Sequence, residues 1–189
     1  LVLDTTTRVK ARVLSDGVWS ALREADFVQV GEPTGLRITE LMYNPPGGAA
    51  YEFVELSNVS GLDIDLASAY FEGIDLRFDR QARIPAGERL VVAPDFAAYR
   101  ERYPEAPIHA IYAGALANGG ETIVLRDAWG HVLASVSYDD ENGWPLSADG
   151  LGDSLVFQQW QADPNNPLSW QASSNINGSP GTGEPAIIR

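Results

Sequence analysis

The sequence predicts an all-β fold: an antiparallel β-sandwich with one short helix and an N-terminal β-hairpin. Three observations carry this. Runs of β-branched, aromatic and long apolar residues recur at short intervals between Gly- and Pro-rich breaks, which is the spacing of a sandwich. The 189 residues include 18 Gly and 12 Pro, high for a helical protein and ordinary for a loop-rich β protein. Only residues 95–103 carry a convincing helical pattern.

In chain order, residues 6–14 alternate Val9, Ala11 and Val13 with Arg8, Lys10 and Arg12, a period of two. Ser15-Asp16-Gly17 supplies a tight reversal, because Gly tolerates the positive φ it needs. Residues 18–30 return as a second strand with Trp19, Ala21, Ala25 and Phe27 on one side. A lone hairpin is marginal in water and its apolar face is a pair of open edges. Residues 1–30 are therefore expected to pack on the sandwich or on a second copy of the chain, as a homodimer. Residues 31–35, Gly-Glu-Pro-Thr-Gly, read as a linker.

The organising stretch follows. Residues 36–44 and 51–58 read as strands flanking Pro45, Pro46, Gly47 and Gly48. Both keep glutamates in an apolar setting: Glu40 in the first, Glu52 and Glu55 in the second. Residues 62–71 form a third strand interrupted by the small residues 67–69, residues 74–78 a fourth, and residues 88–93 a compact buried one. Asp95 can cap the helix, Pro104 stops it, and Phe96, Tyr99 and Tyr103 recur at the spacing of a core-facing stripe. Residues 109–112 are a short strand. Residues 121–126 and 131–138 make the clearest hairpin, with Gly130 closing its loop and Val132, Ala134, Val136 and Tyr138 facing one way. Residues 139–153 are a long acidic loop and 154–159 a last strand. The polar, Pro-rich residues 163–183 have little to give a core. The predicted core is Ile38, Leu41, Val54, Leu56, Leu90, Val92, Ile123, Leu125, Val132, Val136 and Leu155.

These residues carry a resemblance. The series ITELMYNPPG, EFVELSNVSG, IPAGERLVVA, LANGGETIVLRDAWGHVLASVSYDDENGWP and SLVFQQ through GSPG resembles a lamin-tail domain, more specifically the bacterial extracellular version. The likeness implies an immunoglobulin-like sandwich over residues 36–183, with 184–189 a tail. It also implies a non-catalytic module of secreted or surface proteins that mediates attachment or interaction. The chromatin and filament roles of nuclear members are not implied, since the chain has no basic face and no coiled-coil heptads. Residues 5–28 resemble the closing hairpin of a fibronectin-type-III-like, chitobiase C-terminal-type domain beside bacterial secreted enzymes. The opening LVLDTTTRVK lacks a signal peptide's apolar core, so the chain is expected to be a piece of a longer secreted or cell-surface protein.

Charge and composition narrow the partners. Acidic residues outnumber basic ones 26 to 13, a net charge of −13, which repels phosphate backbones and disfavours nucleic acid. No run is long enough for membrane insertion. With no cysteine, disulfides, thiolate metal sites and thiol nucleophiles are excluded. The expected partner is a protein or a cell-surface polymer.

Candidate chemistry is sparse, and no catalytic or cofactor-binding residue is assigned. His109 and His131 lie in no motif, the serines form no nucleophile elbow, and Gly150-Leu151-Gly152 does not continue as a phosphate loop. Asp139, Asp140, Glu141, Asp149 and Asp153 fall in one loop, and calcium favours clustered carboxylates. They lack the EF-hand spacing, so a solvated loop is the preferred reading and a calcium-stabilised adhesion domain an alternative. A carbohydrate-binding module is another alternative. Trp129 on a hairpin tip looks displayed, whereas Trp160 and Trp170 read as covers for the open end of the core. A single ring makes a poor stacking platform.

Overall fold

The computed structural model describes residues 7–27 and 35–184. They fall in two units, 1–33 and 34–189.

In the first unit, β1 (Thr7–Ala11), β2 (Leu14–Ser15), β3 (Val18–Trp19) and β4 (Arg23–Phe27) form a hairpin of two short ladders. β1 pairs antiparallel with β4, and β2 with β3. Asp16 (φ 51°) and Gly17 (φ 79°) both take positive φ, the type I′ geometry whose twist suits two-residue hairpins. The two expected strands are thus each broken once, around Arg12–Val13 and Ser20–Leu22. Val13, Leu14, Val18, Trp19 and Leu22 are exposed, and the Arg12 guanidinium lies 4.5 Å from the Trp19 ring centre. The side chains of Ala25 and Phe27, and residues 28–34 including most of the linker, lie outside the described residues.

The second unit contains β5 (Leu36–Met42), β6 (Phe53–Asn58), β7 (Ile64–Asp65), β8 (Tyr70–Glu72), β9 (Arg83–Ile84), β10 (Arg89–Ala93), α1 (Phe96–Arg102), β11 (Ala110–Ile111), β12 (Glu121–Arg126), β13 (Val132–Tyr138), β14 (Leu155–Phe157) and β15 (Trp170–Ala172). A six-stranded sheet runs β11-β10-β6-β5-β14-β15 and a three-stranded sheet β13-β12-β8, with β7–β9 a short ribbon. The sandwich core lies between the two larger sheets. Leu36, Ile38, Leu41, Val54, Leu56, Leu90, Val92, Leu155 and Phe157 enter it from one side, and Phe71, Ile123, Leu125, Val136 and Tyr138 from the other. The expected sandwich stands.

β5 explains how a run with apolar residues at 36, 38, 41 and 43 can serve one face. Its register with β6 shifts between Ile38 and Glu40, a bulge that inserts Thr39. Side chains alternate across a strand, so one extra residue returns Leu41 and Tyr43 to the core face. Thr39, Glu40 and Met42 go to the outer face. A smaller apolar cluster of Met42, Phe53, Val91, Ala93, Tyr99 and Tyr103 seats α1 on that outer face.

The helix obeys its signals. Asp95 accepts a hydrogen bond from the Ala98 amide at 2.9 Å as N-cap, and the helix ends before Pro104. Tyr99 and Tyr103 are buried, but Phe96, the first helical residue, is exposed, with the Arg100 guanidinium 5.7 Å from its ring centre.

Several expectations need correction. Residues 74–78 form no ladder; they fold back after Gly73 and make only isolated bridges, Tyr70 to Arg77 and Asp75 to Ala113. Ile74, Leu76 and Phe78 are buried all the same, so the alternation signalled burial without pairing. β11 pairs with β10 in parallel, the one parallel ladder between strands among the described residues. The connection through α1 brings the chain back in the same direction. Val132 is 45% exposed, because the register of β12 and β13 shifts at Arg126 beside the turn.

The largest correction concerns residues 163–183. They supply β15, the buried Trp170 and the buried serines Ser169, Ser173 and Ser179. Trp170 packs on Phe157 and Trp144 at ring-centre distances of 5.1 and 5.8 Å, and its indole N–H donates to the Pro164 carbonyl at 2.7 Å. Ending the chain after Asp153 removes the buried Leu155, Phe157 and Trp170 together. At about 1.5–3 kcal/mol per side chain, that loss is comparable with a whole domain's net stability of about 5–15 kcal/mol. The shortened chain is expected to lose its cooperative thermal transition; a retained transition within a few degrees of the parent would contradict this.

Candidate functional site

The bulge in β5 sets up the site. Glu40 on β5 and Glu55 on β6 are register partners on the outer face of the six-stranded sheet. They are 1% and 0% exposed. Two buried carboxylates side by side repel each other and lose hydration, so each must find donors. The C-terminal segment supplies them. Glu40 Oε1 accepts from the Ser154 hydroxyl at 2.6 Å and the Ser179 amide at 2.8 Å, and Oε2 from the Ser179 hydroxyl at 3.3 Å. Glu55 Oε1 accepts from the Thr39 hydroxyl at 2.6 Å and forms an ion pair with Arg89. Its Oε2 accepts from the Gly181 amide at 2.8 Å.

The Gly178-Ser179-Pro180-Gly181 turn is therefore a latch held by two carboxylates. Gly178 has φ 80°, and a β-carbon there would stand 2.4 Å from Glu40 Oε1, so both backbone and space require glycine. Glu184 ties the far side, accepting from the Ser179 hydroxyl at 2.9 Å and the Ser174 amide at 3.1 Å. Burial, reinforced by the neighbouring Glu55 and opposed by the Ser154 and Ser179 hydrogen bonds, pushes the Glu40 carboxyl up to about 7.

Glu52, on the chain leading into β6, is 1% exposed and plays a parallel part at another junction. It accepts from the Tyr112 hydroxyl at 3.0 Å and the Leu116 amide at 2.8 Å. Burial pushes it also to about 7 against the pull of those two donors.

Beside the latch a groove of about 550 Å³ runs over β14 and β15. Val156 lines it with Trp160, Leu168, Gln158, Gln159, Gln171, Arg89 and Glu184. Glu40 and Glu55 also line it, their oxygens taken up by Ser154, the latch, Thr39 and Arg89. The exposure of Trp160, 39%, and of Leu168, 82%, corrects the expectation that Trp160 covers the core; only Trp170 does so. Trp129 is 63% exposed on its hairpin tip, as expected, and Trp144 is buried.

The two histidines are structural. His109 Nδ1 accepts from the Val91 amide at 3.0 Å, which fixes the tautomer with its proton on Nε2, and burial lowers its pKa. His131 Nδ1 lies 2.8 Å from Asp127 Oδ2, while Asp127 Oδ1 accepts the Trp129 and His131 amides and braces the β12–β13 turn. The acidic loop is occupied in the same way. Asp139 accepts from the Glu141 amide at 3.0 Å and the Asn142 side chain at 3.2 Å, and Asp149 from the Asn44 side chain at 2.7 Å. Among the described residues no group of three or more His, Asp or Glu side chains is placed to hold a metal ion. Asp139, Asp140, Glu141, Asp149 and Asp153 are thus not gathered into one centre. The Asn58 side chain donates to the carbonyls of Leu62, Ile84 and Pro85 at 2.8, 2.9 and 3.0 Å, so it ties the end of β6 to the neighbouring loops.

Sequence reading found the glutamates by their apolar setting and missed their donors. The signal was present as the Gly-Ser-Pro-Gly turn, but nothing local ties that turn to a strand 139 positions away.

The pH dependence follows with a definite sign. Glu40 and Glu52 hold protons more tightly in the folded state, about 7, than at the ordinary carboxylate value of 4.5. Between these values the folded state binds more protons, so stability falls as pH rises from about 4.5 to 7 and then levels. At about 1.4 kcal/mol per unit, each group costs on the order of 3 kcal/mol above neutrality. Urea midpoints are expected to be higher at pH 5 than at pH 8, with Glu40→Gln and Glu52→Gln each reducing the difference. Equal slopes in parent and variants would refute the assignment.

Comparison with known proteins gives one family. The model described as Lamin Tail Domain matches residues 29–140, more than half of the chain. No curated protein matches. No solved structure matches either. The match ends before β14, so the latch and the groove lie in the part of the second unit that the family model leaves uncovered. With the sandwich and the family model in agreement, the chain belongs to the lamin tail domain family, an immunoglobulin-like fold whose members are in general non-enzymatic interaction modules.

Proposed function

We propose that this chain is a non-catalytic attachment module of a larger secreted or cell-surface bacterial protein, and that it contacts a protein or a cell-surface polymer. The observation that carries this reading is the groove over β14 and β15, where Trp160 and Leu168 stand exposed beside polar side chains. Binding sites combine an apolar surface with a few placed polar groups in this way. The buried glutamates and both histidines, by contrast, spend their polar atoms on the fold. A purified fusion of the chain to a fluorescent protein is expected to be retained on isolated bacterial envelopes, and Leu168→Asp is expected to weaken retention severalfold. Retention no greater than that of the fluorescent protein alone would refute the reading.

The hairpin supports a second association. Its exposed Val13, Leu14, Val18, Trp19 and Leu22 are a large apolar complement for a strand pair, and such pairs recruit other chains. Pairing of two copies through residues 1–30 is the proposed arrangement. Sedimentation is expected to show a dimer for the full chain and a monomer for one beginning at Glu32. Monomers in both cases would exclude it.

A further inference from the structure

We infer that the groove over β14 and β15 is a binding site for a neutral oligosaccharide, with Trp160 as the stacking ring and Gln158, Gln159 and Gln171 as the hydroxyl-reading groups. The inference rests on the attachment reading and names its ligand class. The groove, about 550 Å³, is within the range of sites that enclose small ligands.

Its lining is unusual in what is left unused. Among the described residues no side-chain hydrogen bond is made by Gln158, Gln159 or Gln171, although all three line the same groove. Each amide offers two N–H donors and a carbonyl acceptor on one rigid plane. Vicinal sugar hydroxyls, each donor and acceptor at once, are natural partners for that plane. Trp160 adds a flat face, 39% exposed, beside the exposed Leu168, and a sugar ring's C–H face packs on such a surface. A single ring makes a weak platform on an open surface; within a groove the amides supply the orientation that further rings would otherwise give.

Charge selects among sugars. Glu40, Glu55 and Glu184 line the groove, Arg89, its one cation among the described residues, is already paired with Glu55, and the chain carries −13. Uronates, sialylated glycans and phosphate-bearing polymers are therefore repelled, and uncharged sugars are admitted. The framework is firm where it must be: β14 pairs with both β5 and β15, and Trp170 is packed and hydrogen-bonded beneath the groove.

Titration calorimetry of the full chain with chitohexaose, cellohexaose and xylohexaose, and with hexagalacturonate as the anionic probe, tests this. At least one neutral hexamer is expected to bind and hexagalacturonate not to bind. Trp160→Ala is expected to weaken binding at least about tenfold, as hot-spot aromatics do. Gln171→Ala and Gln159→Ala, both at unstrained polar positions, are expected to weaken it severalfold without shifting the thermal midpoint. Absence of binding to all three neutral hexamers at millimolar concentration overturns the inference, as does binding that Trp160→Ala, Gln159→Ala and Gln171→Ala all leave unchanged. Envelope retention that persists in such a case leaves the attachment reading standing and identifies a protein or charged polymer as the partner.

Discussion

Two carboxylates placed opposite each other on neighbouring strands are the constraint on which the outer face of this domain depends. Glu40 and Glu55 are fixed in register by the β5–β6 ladder, and neither reaches solvent. Isolated buried charge costs many kcal/mol, so the arrangement persists only with a full set of donors. The structure answers asymmetrically. Glu55 receives Arg89, while Glu40 holds its proton up to about pH 7 and binds the Ser154 and Ser179 groups. A polar pair of this kind adds little to net stability compared with an apolar one; what it does is specify which segment lies over the sheet.

That segment is the end of the described chain, and its placement shapes the surface. The Gly178–Gly181 turn sits over β5 and β6, and α1 sits over Met42, Phe53, Val91 and Ala93 on the same face. Between the latch and β15 the described residues leave the face open, and there the groove forms. The groove is thus a by-product of satisfying buried charge. The sandwich core on the other face, closed by Phe71, Ile123, Leu125 and Val136, is indifferent to it.

The same division separates residues with structural duties from those free to bind. Asp127, Asp139, Asp149, His109, His131 and Asn58 all spend their side chains on backbone amides, carbonyls or neighbouring side chains. In a chain this acidic, carboxylates are abundant and serve as turn caps, since a carboxylate next to a free amide satisfies two groups at once. Among the described residues, Gln158 and Gln159, which follow β14, and Gln171 in β15 have no such duty. An interaction module needs such uncommitted groups, and here they sit beside an exposed tryptophan.

By itself the sequence determined what local chemistry determines. Alternation and turn residues marked the strands of the hairpin at 121–138. The Asp95 cap and Pro104 bounded the helix, and Asp16-Gly17 announced the reversal now seen at positive φ. Apolar surroundings singled out Glu40, Glu52 and Glu55 before any partner was known. Tertiary structure alone decided the rest. The bulge at Thr39 depends on a neighbouring strand, and the parallel pairing of β11 depends on where α1 returns the chain. The polar segment 163–183 read as surface because its burial comes from contacts made across more than a hundred residues, to Glu40 and Glu55. Periodicity reports which side of an element is apolar; it carries no information about which distant amide will meet a buried carboxylate, and on that meeting the groove depends.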